Sequence, residues 1–447
     1  MPPLTTCPCT WATTSVTFRS VHTLLTINFL KKLLYHKIIY KVKTLFTIYF
    51  VESCHDSAES KQAYSALAAP RFHYSLFTYC VVALLTACGG RPSGTGGEEG
   101  DTLSLRYAER ITIVRHKGYT QVALADPWNL GKTLHSYLLV PADSQIPAGL
   151  PEGTVVRTPL KKAVVSTSVH CSLAIRLGGK ERIAGVCDPQ YIHIPWIEQQ
   201  LENGGVADCG SGLSPTVEKI IDLEPDAIFL SPFQNSGGYG KVEQLGIPII
   251  ETADYMETSP LGRAEWMKFY AMLFGEENVA DSLFNAVEKE YVRLKELARQ
   301  DKQRLSLLMD KQTGSVWYMP GGKSTVGRLI SDASVVYPWS SNDDSGSLAL
   351  PFETVLDKGG DCDVWLFRYN SPHDITYDEL LSENQGYSQF KAFRNRQAYG
   401  CNTANTSFYE DTPFNPSLLL RDIVSITHPS VSMYGEPKYF KRVKDGI

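Results

Sequence analysis

Two kinds of side chain in this sequence are placed to do chemistry: one thiol, and a set of aromatic, polar and cationic residues in turns. The thiol is Cys88. It closes residues 71–88, where Arg71 is followed by a mostly apolar run and then by Leu85-Thr86-Ala87-Cys88. That order is an n-region, an h-region and a small-residue cleavage site. Leu-x-Ala-Cys is the lipobox pattern, in which the thiol is alkylated with diacylglycerol and the cysteine becomes the first mature residue. Each acyl CH₂ buried in the bilayer then contributes about 0.8 kcal/mol of anchoring. The second set is Tyr191, Phe233, Gln234, Tyr239, Trp317, Lys323, Ser324, Trp339 and Arg368. Flat aromatic faces bury area by stacking at little entropic cost. A lysine and an arginine beside them supply partners for carboxylates or a charged chelate, and Lys323 is expected at a helix N-terminus, where backbone N–H groups favour anions.

Other groupings carry rival chemistry. Gly321-Gly322-Lys323-Ser324 has the end of a nucleotide-binding loop, but the glycine needed five residues before Gly322 is Trp317. His170 and His193 would serve a bare zinc or manganese ion, yet such sites need three or four His, Asp or Glu ligands, and only four histidines occur from His170 onward. Cys171 or Ser168 with His170 would be a hydrolase pair, without the G-x-S-x-G turn that exposes a nucleophile. After removal of the leader, Cys171, Cys187, Cys209, Cys362 and Cys401 remain, an odd number with no C-x-x-C pair. A bridge between Cys187 and Cys209 stays open in an oxidising compartment.

The elements that must position these residues follow from composition and periodicity. Of 447 residues, 43% are hydrophobic and 20% charged, the balance of a chain with buried cores. The net charge of −5 gives no general pull toward nucleic acid. It averages a basic leader, with eight Lys/Arg and three acids in residues 1–88, over a body of net −10. No run approaches 18 consecutive apolar residues, which excludes a polytopic membrane protein. Residues 1–87 read as a leader, with the signal peptide at about 67–87. No methionine lies between Met1 and Met256; residues 1–66 are read as an extension upstream of a non-ATG start near Leu67, the other reading being a genuine long leader. Residues 88–102 form a Gly/Ser-rich tether, and 103–160 a small antiparallel β extension. From residue 161 short apolar strands alternate with helices, which implies parallel sheets covered on both faces. The pattern predicts an N-terminal α/β lobe over 161–258. A helix opened by Ser259-Pro260 and closed by Gly275 comes next, then a second from about Asn278 to Gln300. The latter has apolar residues at a period of 3.6 and is long enough to bridge two domains. A C-terminal α/β lobe follows over 301–447.

Residues 162–429 resemble the class III periplasmic substrate-binding proteins of ABC importers, which include vitamin B12-, siderophore- and heme-binding proteins. The resemblance rests on lobe–long helix–lobe order and on residues 218–228, where Glu218, Ile220, Leu223, Pro225, Asp226 and Ile228 match an E-x-I-x-x-L-x-P-D-x-I element. Residues 352–356 and 361–365 of the second lobe echo it. It implies two Rossmann-like lobes joined by a single long helix, clamping a ligand between loops at the strand C-termini. The aromatics above suit an iron complex (siderophore or heme) or a corrinoid as transported ligand, with no cofactor and no catalysis. The resemblance also implies Glu218 and Glu353 as contacts to the permease, with its ATPase as a further partner. A monomer is expected, at the periplasmic side and held to the membrane by its lipid. The alternatives are a zinc- or manganese-binding transport protein, or a secreted hydrolase.

Overall fold

The computed structural model describes residues 100–234 and 238–446. These belong to one compact unit, Thr95–Ile447. The leader, the signal peptide, Cys88 and most of the tether lie outside the described residues. Among those described, no helix is long and apolar enough to cross a membrane.

The extension is a sheet of β1 (Asp101–Thr102), β2 (Ile111–His116), β3 (Tyr119–Ala125), β4 (Thr133–Pro141) and β5 (Thr154–Thr158), in that spatial order. Ile111 and Ile113 on β2, and Val122 and Leu124 on β3, alternate inward as a half-buried strand requires. The sheet is not wholly antiparallel as expected. β5 runs parallel to β4, with Tyr137 beside Thr154, because residues 142–153 cross over instead of turning straight back. Tyr137 is fully buried. Its hydroxyl donates to the Ile249 carbonyl (2.9 Å) and accepts from the Glu251 N–H (2.8 Å). The extension thereby satisfies backbone groups on an edge strand of the first lobe, which would otherwise be open to foreign pairing.

That lobe runs β6 (Ala163–Val165), α1 (Ser168–Arg176), β7 (Ile183–Val186), α2 (Pro195–Asn203), β8 (Ala207–Asp208), the hairpin β9 (Gly210–Ser211) and β10 (Ser214–Pro215), α3 (Val217–Leu223), β11 (Ala227–Leu230) and β12 (Ile249–Glu251). Its main sheet has the order β12-β11-β6-β7-β8, all parallel. β6 and β11 are buried along their whole length, as in a sheet covered on both faces. Pro215 ends β10, and α3 starts only at Val217. The segment carrying Val242 and Leu245 is a 3₁₀ turn, Gly240–Leu245.

The expected 260–274 helix is two helices, α4 (Pro260–Glu265) and α5 (Met267–Phe274). At Trp266 the N–H bonds to Arg263 three residues back, a tighter turn than α, and the indole N–H donates to buried Glu257 (3.2 Å). Gly275 ends α5 at φ +70°, a conformation that favours glycine. α6 (Glu277–Gln300) is the interlobe spine. Its 24 residues span about 36 Å. Of the predicted apolar stripe Val279, Leu283, Phe284, Val287, Tyr291, Leu294 and Ala298 it buries the last five, with Ala280 in addition, while Val279 is exposed and Leu283 partly buried.

The second lobe contains β13 (Leu307–Met309), β14 (Gln312–Thr313), β15 (Val316–Pro320), α7 (Thr325–Asp332), β16 (Ser347–Leu350), α8 (Phe352–Gly359), β17 (Val364–Tyr369), α9 (Tyr377–Glu383), α10 (Lys391–Arg394), β18 (Ala398–Asn402), α11 (Phe408–Asp411), α12 (Pro416–Thr427) and β19 (Lys441–Arg442). β13, β17 and β18 are parallel, and β19 adds an antiparallel edge. β15 does not join this sheet, although the alternation suggested it. It forms a separate antiparallel sheet with β14 and β16. α12 lies along the spine, where Arg421 pairs with Glu290 (3.1 Å). The chain is therefore two α/β lobes, one long connecting helix and an added β sheet.

Candidate functional site

The C-terminal edges of the two lobe sheets face each other. α1 begins just beyond β6, α11 just beyond β18, and the His170 ring on α1 meets Phe414, three residues past α11, edge-on at 5.8 Å. The junction is a buried polar hub. Asp254, fully buried after β12, accepts from Tyr270 (2.7 Å) and pairs with His170 Nε2 (2.8 Å) through Oδ1, and accepts from Arg263 Nε (3.0 Å) through Oδ2. Burial by itself would push the Asp254 carboxyl up. The charges and hydrogen bonds of His170 and Arg263 outweigh it and hold the group down at about 2. His170 Nδ1 lies 2.6 Å from Thr167 Oγ1, so both ring nitrogens are engaged.

That hub answers the rival chemistries. His170 is spent on structure, and Cys171 is fully buried, where desolvation drives its thiol well up and away from nucleophilic thiolate. His193 is exposed and pairs with Glu198 (3.7 Å) instead of meeting His170. Among the described residues no three His, Cys, Asp or Glu gather as a metal site. The five described cysteines are all buried and free, Cys187 and Cys209 included.

Around the hub, loops at strand ends present apolar side chains to solvent. On the first lobe these are Tyr191 after β7, Phe233 after β11 and Tyr255 after β12, exposed by 71%, 49% and 38%. Gln234 is exposed beside Phe233. Tyr255 is anchored by its hydroxyl to the Pro232 carbonyl (2.6 Å) and Asp188 accepts from the Gly212 N–H (2.7 Å), so the loops are braced against one another. On the second lobe Tyr409 is half-exposed. Arg368, at the end of β17, makes a two-pronged pair with Asp310 (2.9 and 2.8 Å), and its guanidinium lies over Phe408 at 5.8 Å. Burial disfavours this charge, and Asp310 more than compensates, so Arg368 stays cationic. No motif in the sequence marks Tyr255, Tyr409 or Asp254. Asp254, Glu257, Arg263 and Glu265 do stand out as charges inside the apolar tract 253–275, and a buried charge requires a partner.

Several expected contact residues take other places. Trp317 is fully buried, with its indole N–H donating to the Met309 carbonyl (2.9 Å) and its ring packed against Trp365 (6.0 Å). Trp339 is 4% exposed and packs on Tyr337. The expectation that these two indoles face a ligand is corrected: both belong to the core of the second lobe, where the largest apolar surfaces gain most from burial. Ser324 is buried as the N-cap of α7, accepting from the Gly327 N–H (3.0 Å). Lys323 precedes that cap, is exposed, and pairs with Asp343 (2.7 Å). Gly321 and Gly322 next to it lie so close to the 339–346 backbone that a Cβ on either would come within 2.4 Å of a carbonyl oxygen. This loop is a close backbone crossing, which accounts for its glycines without a nucleotide.

Tyr239 is half-buried and its hydroxyl reaches Glu251 (3.3 Å). The other oxygen of Glu251 is buried and partnerless among the described residues. Desolvation pushes this carboxyl up to about 7; Tyr239 acts against that rise, and Asp126 and Glu243 add to it. A raised carboxyl contributes its stability fully below its unfolded range, near pH 4.5, and loses it as the pH rises through about 7. Glu251→Gln should therefore match wild type at pH 4.5 and exceed it at pH 8 by about 2–3 kcal/mol. Urea unfolding at the two pH values checks this, and equal stabilities at pH 8 would contradict it.

The predicted permease contacts are exposed. Glu218 lies in the first turn of α3 and Glu353 in the first turn of α8. Each helix leads directly into an inner strand of its own sheet, β11 or β17, so the two carboxylates hold corresponding positions in the two lobes.

A profile of the periplasmic binding protein family matches residues 164–404, more than half of the chain. The chain belongs to that family. Its members are transport-associated binding proteins that work with an ABC permease and its ATPase, and this one is a substrate-binding component of that class of transporter. The chain is similar to two uncharacterized lipoproteins of Methanocaldococcus jannaschii. One is 24% identical over 358 residues, which is 74% of this chain and 83% of the relative; the other is 23% identical over 357 residues, 76% and 87%. Among solved structures it is similar to a possible iron-binding periplasmic solute-binding protein of Staphylococcus epidermidis. That match has 14% identity and a TM-score of 0.48, and covers 60% of this chain and 99% of the other. The β extension lies outside the family match.

Proposed function

We propose that this protein is a lipid-anchored receptor that captures a flat metal chelate between its lobes, an iron complex (siderophore or heme) or a corrinoid, and delivers it to the permease. The observation that carries the ligand class is the rim of exposed aromatics, Tyr191, Phe233, Tyr255 and Tyr409, around the buried Asp254 hub, with Arg368 held cationic beside them. Exposed aromatic faces at facing strand ends offer stacking surface, and one fixed guanidinium offers a partner for a carboxylate or an anionic chelate. Anchoring through Cys88 is supported by Leu85-Thr86-Ala87-Cys88 and by the lipoprotein naming of both relatives. Glu218 and Glu353 are proposed as the permease contacts, Lys323 and Gln234 as rim contacts once the ligand is bound, and Tyr239 as their support.

Calorimetry with cobalamin, heme and a set of ferric siderophores tests the ligand. One class should bind at micromolar or tighter affinity, and Tyr191→Ala with Phe233→Ala should weaken it by about tenfold or more, the loss of two stacked rings at roughly 1 kcal/mol each. Binding of free zinc or manganese with none of the chelates would replace this reading by the metal-ion one.

A further inference from the structure

A cavity of about 450 Å³ lies between α4, the spine and α7 and shares no lining residue with the aromatic rim; its volume is within the size range of small-molecule sites. Its walls come from four parts of the chain: Tyr107 of the segment entering the extension, Pro260 and Leu261 of α4, Tyr291, Val292 and Lys295 of the spine, and Arg328 and Asp332 of α7. The first wall comes from residues outside the family match.

These walls are held in place. The Arg106, Tyr107 and Ala108 N–H groups donate to Glu265, and those of Glu109 and Arg110 to Glu257, both carboxylates being buried. Tyr107 also donates its hydroxyl to Glu288 on the spine (2.7 Å). Opposite, Asp332 accepts from Tyr291 (2.9 Å) and pairs with Lys295 (2.6 Å). Thr325 at the start of α7 donates to the Glu257 carbonyl (2.8 Å), so the second lobe is tied to the hinge segment here. One charged group in the cavity is left over. Arg328 is exposed and its guanidinium has no hydrogen-bond or ion-pair partner among the described residues. Lys295 and Arg328 face a single carboxylate, Asp332, so the polar end has an excess positive charge, while Pro260, Leu261 and Val292 supply an apolar end.

We propose that this cavity is a second binding site, for a small amphipathic carboxylate whose anionic head pairs with Arg328 and whose apolar tail lies along Leu261 and Val292. Its walls belong to the segment entering the extension, to α4, to the spine and to α7 of the second lobe, so an occupant ties these four parts together. The proposal stands apart from the identity of the transported chelate.

Octanoate, titrated by calorimetry into the full mature protein, is the probe, with octanol as its uncharged counterpart. Octanoate should give saturable binding at millimolar concentration or below, at least tenfold tighter than octanol. Arg328→Glu should weaken it tenfold or more, and Val292→Trp should abolish it by filling the apolar end. Both positions are exposed, so thermal unfolding should leave both variants near wild type. The proposal is overturned if octanoate gives no saturable heat, if octanol binds equally well, or if folded Arg328→Glu binds octanoate as wild type does.

Discussion

Asp254→Ala is expected to cost about 3–5 kcal/mol of stability, because it removes the acceptor on which three groups at the lobe junction depend. The carboxylate is fully buried and binds His170, Arg263 and Tyr270 from three different elements. Its loss leaves the Tyr270 hydroxyl, itself buried, without a partner, and the Arg263 cation without its counter-charge. Urea unfolding should show a lower midpoint at an unchanged slope; a change below about 1 kcal/mol would show that the junction does not depend on this group. Acid should act in the same direction. The folded group sits at about 2, below its ordinary value, so its contribution is whole above pH 4 and is lost as the pH falls from about 4 toward 2, an effect of about 2 kcal/mol. Asp254→Asn should lack that acid-dependent loss while remaining less stable than wild type at neutral pH.

The second large effect is expected in transport. Glu218→Ala combined with Glu353→Ala should leave chelate affinity within about twofold and abolish uptake through the permease. Both side chains are exposed in first helical turns, so their removal does not disturb the core. Two carboxylates on separate lobes can fix the orientation of docking and steer encounter with basic partners, which depends on charge more than on buried area. Calorimetry on the double variant, paired with ligand uptake into vesicles containing the transporter, separates the steps. Lost affinity, or undiminished uptake, would refute the docking role.

What repeats at short range is legible in the linear chain. Apolar residues from Val279 to Ala298 sit at helical spacing, and the spine buries Phe284, Val287, Tyr291, Leu294 and Ala298 among them. The apolar strands Ala163–Val165 and Ala227–Leu230 signal a covered parallel sheet, and both are buried along their whole length. Such patterns are legible because side-chain direction follows from backbone period alone. Relations between distant segments were decided only in the folded chain. Trp317 reads as a loop-edge aromatic, but its place in the core depends on β15 pairing with β14 and β16 and on Trp365, Tyr387 and Phe390 arriving from elsewhere. The β4–β5 pair is parallel because of the path taken by residues 142–153. Asp254, Glu257 and Glu265 stand out in a linear reading only as charges in an apolar tract, with nothing to name their partners. Their partners lie up to 159 residues away, and low-dielectric burial makes each of those hydrogen bonds matter. Period and motif specify the two lobes and their joining helix, while the junction that holds the lobes together exists only where tertiary packing excludes water from charges the sequence leaves scattered.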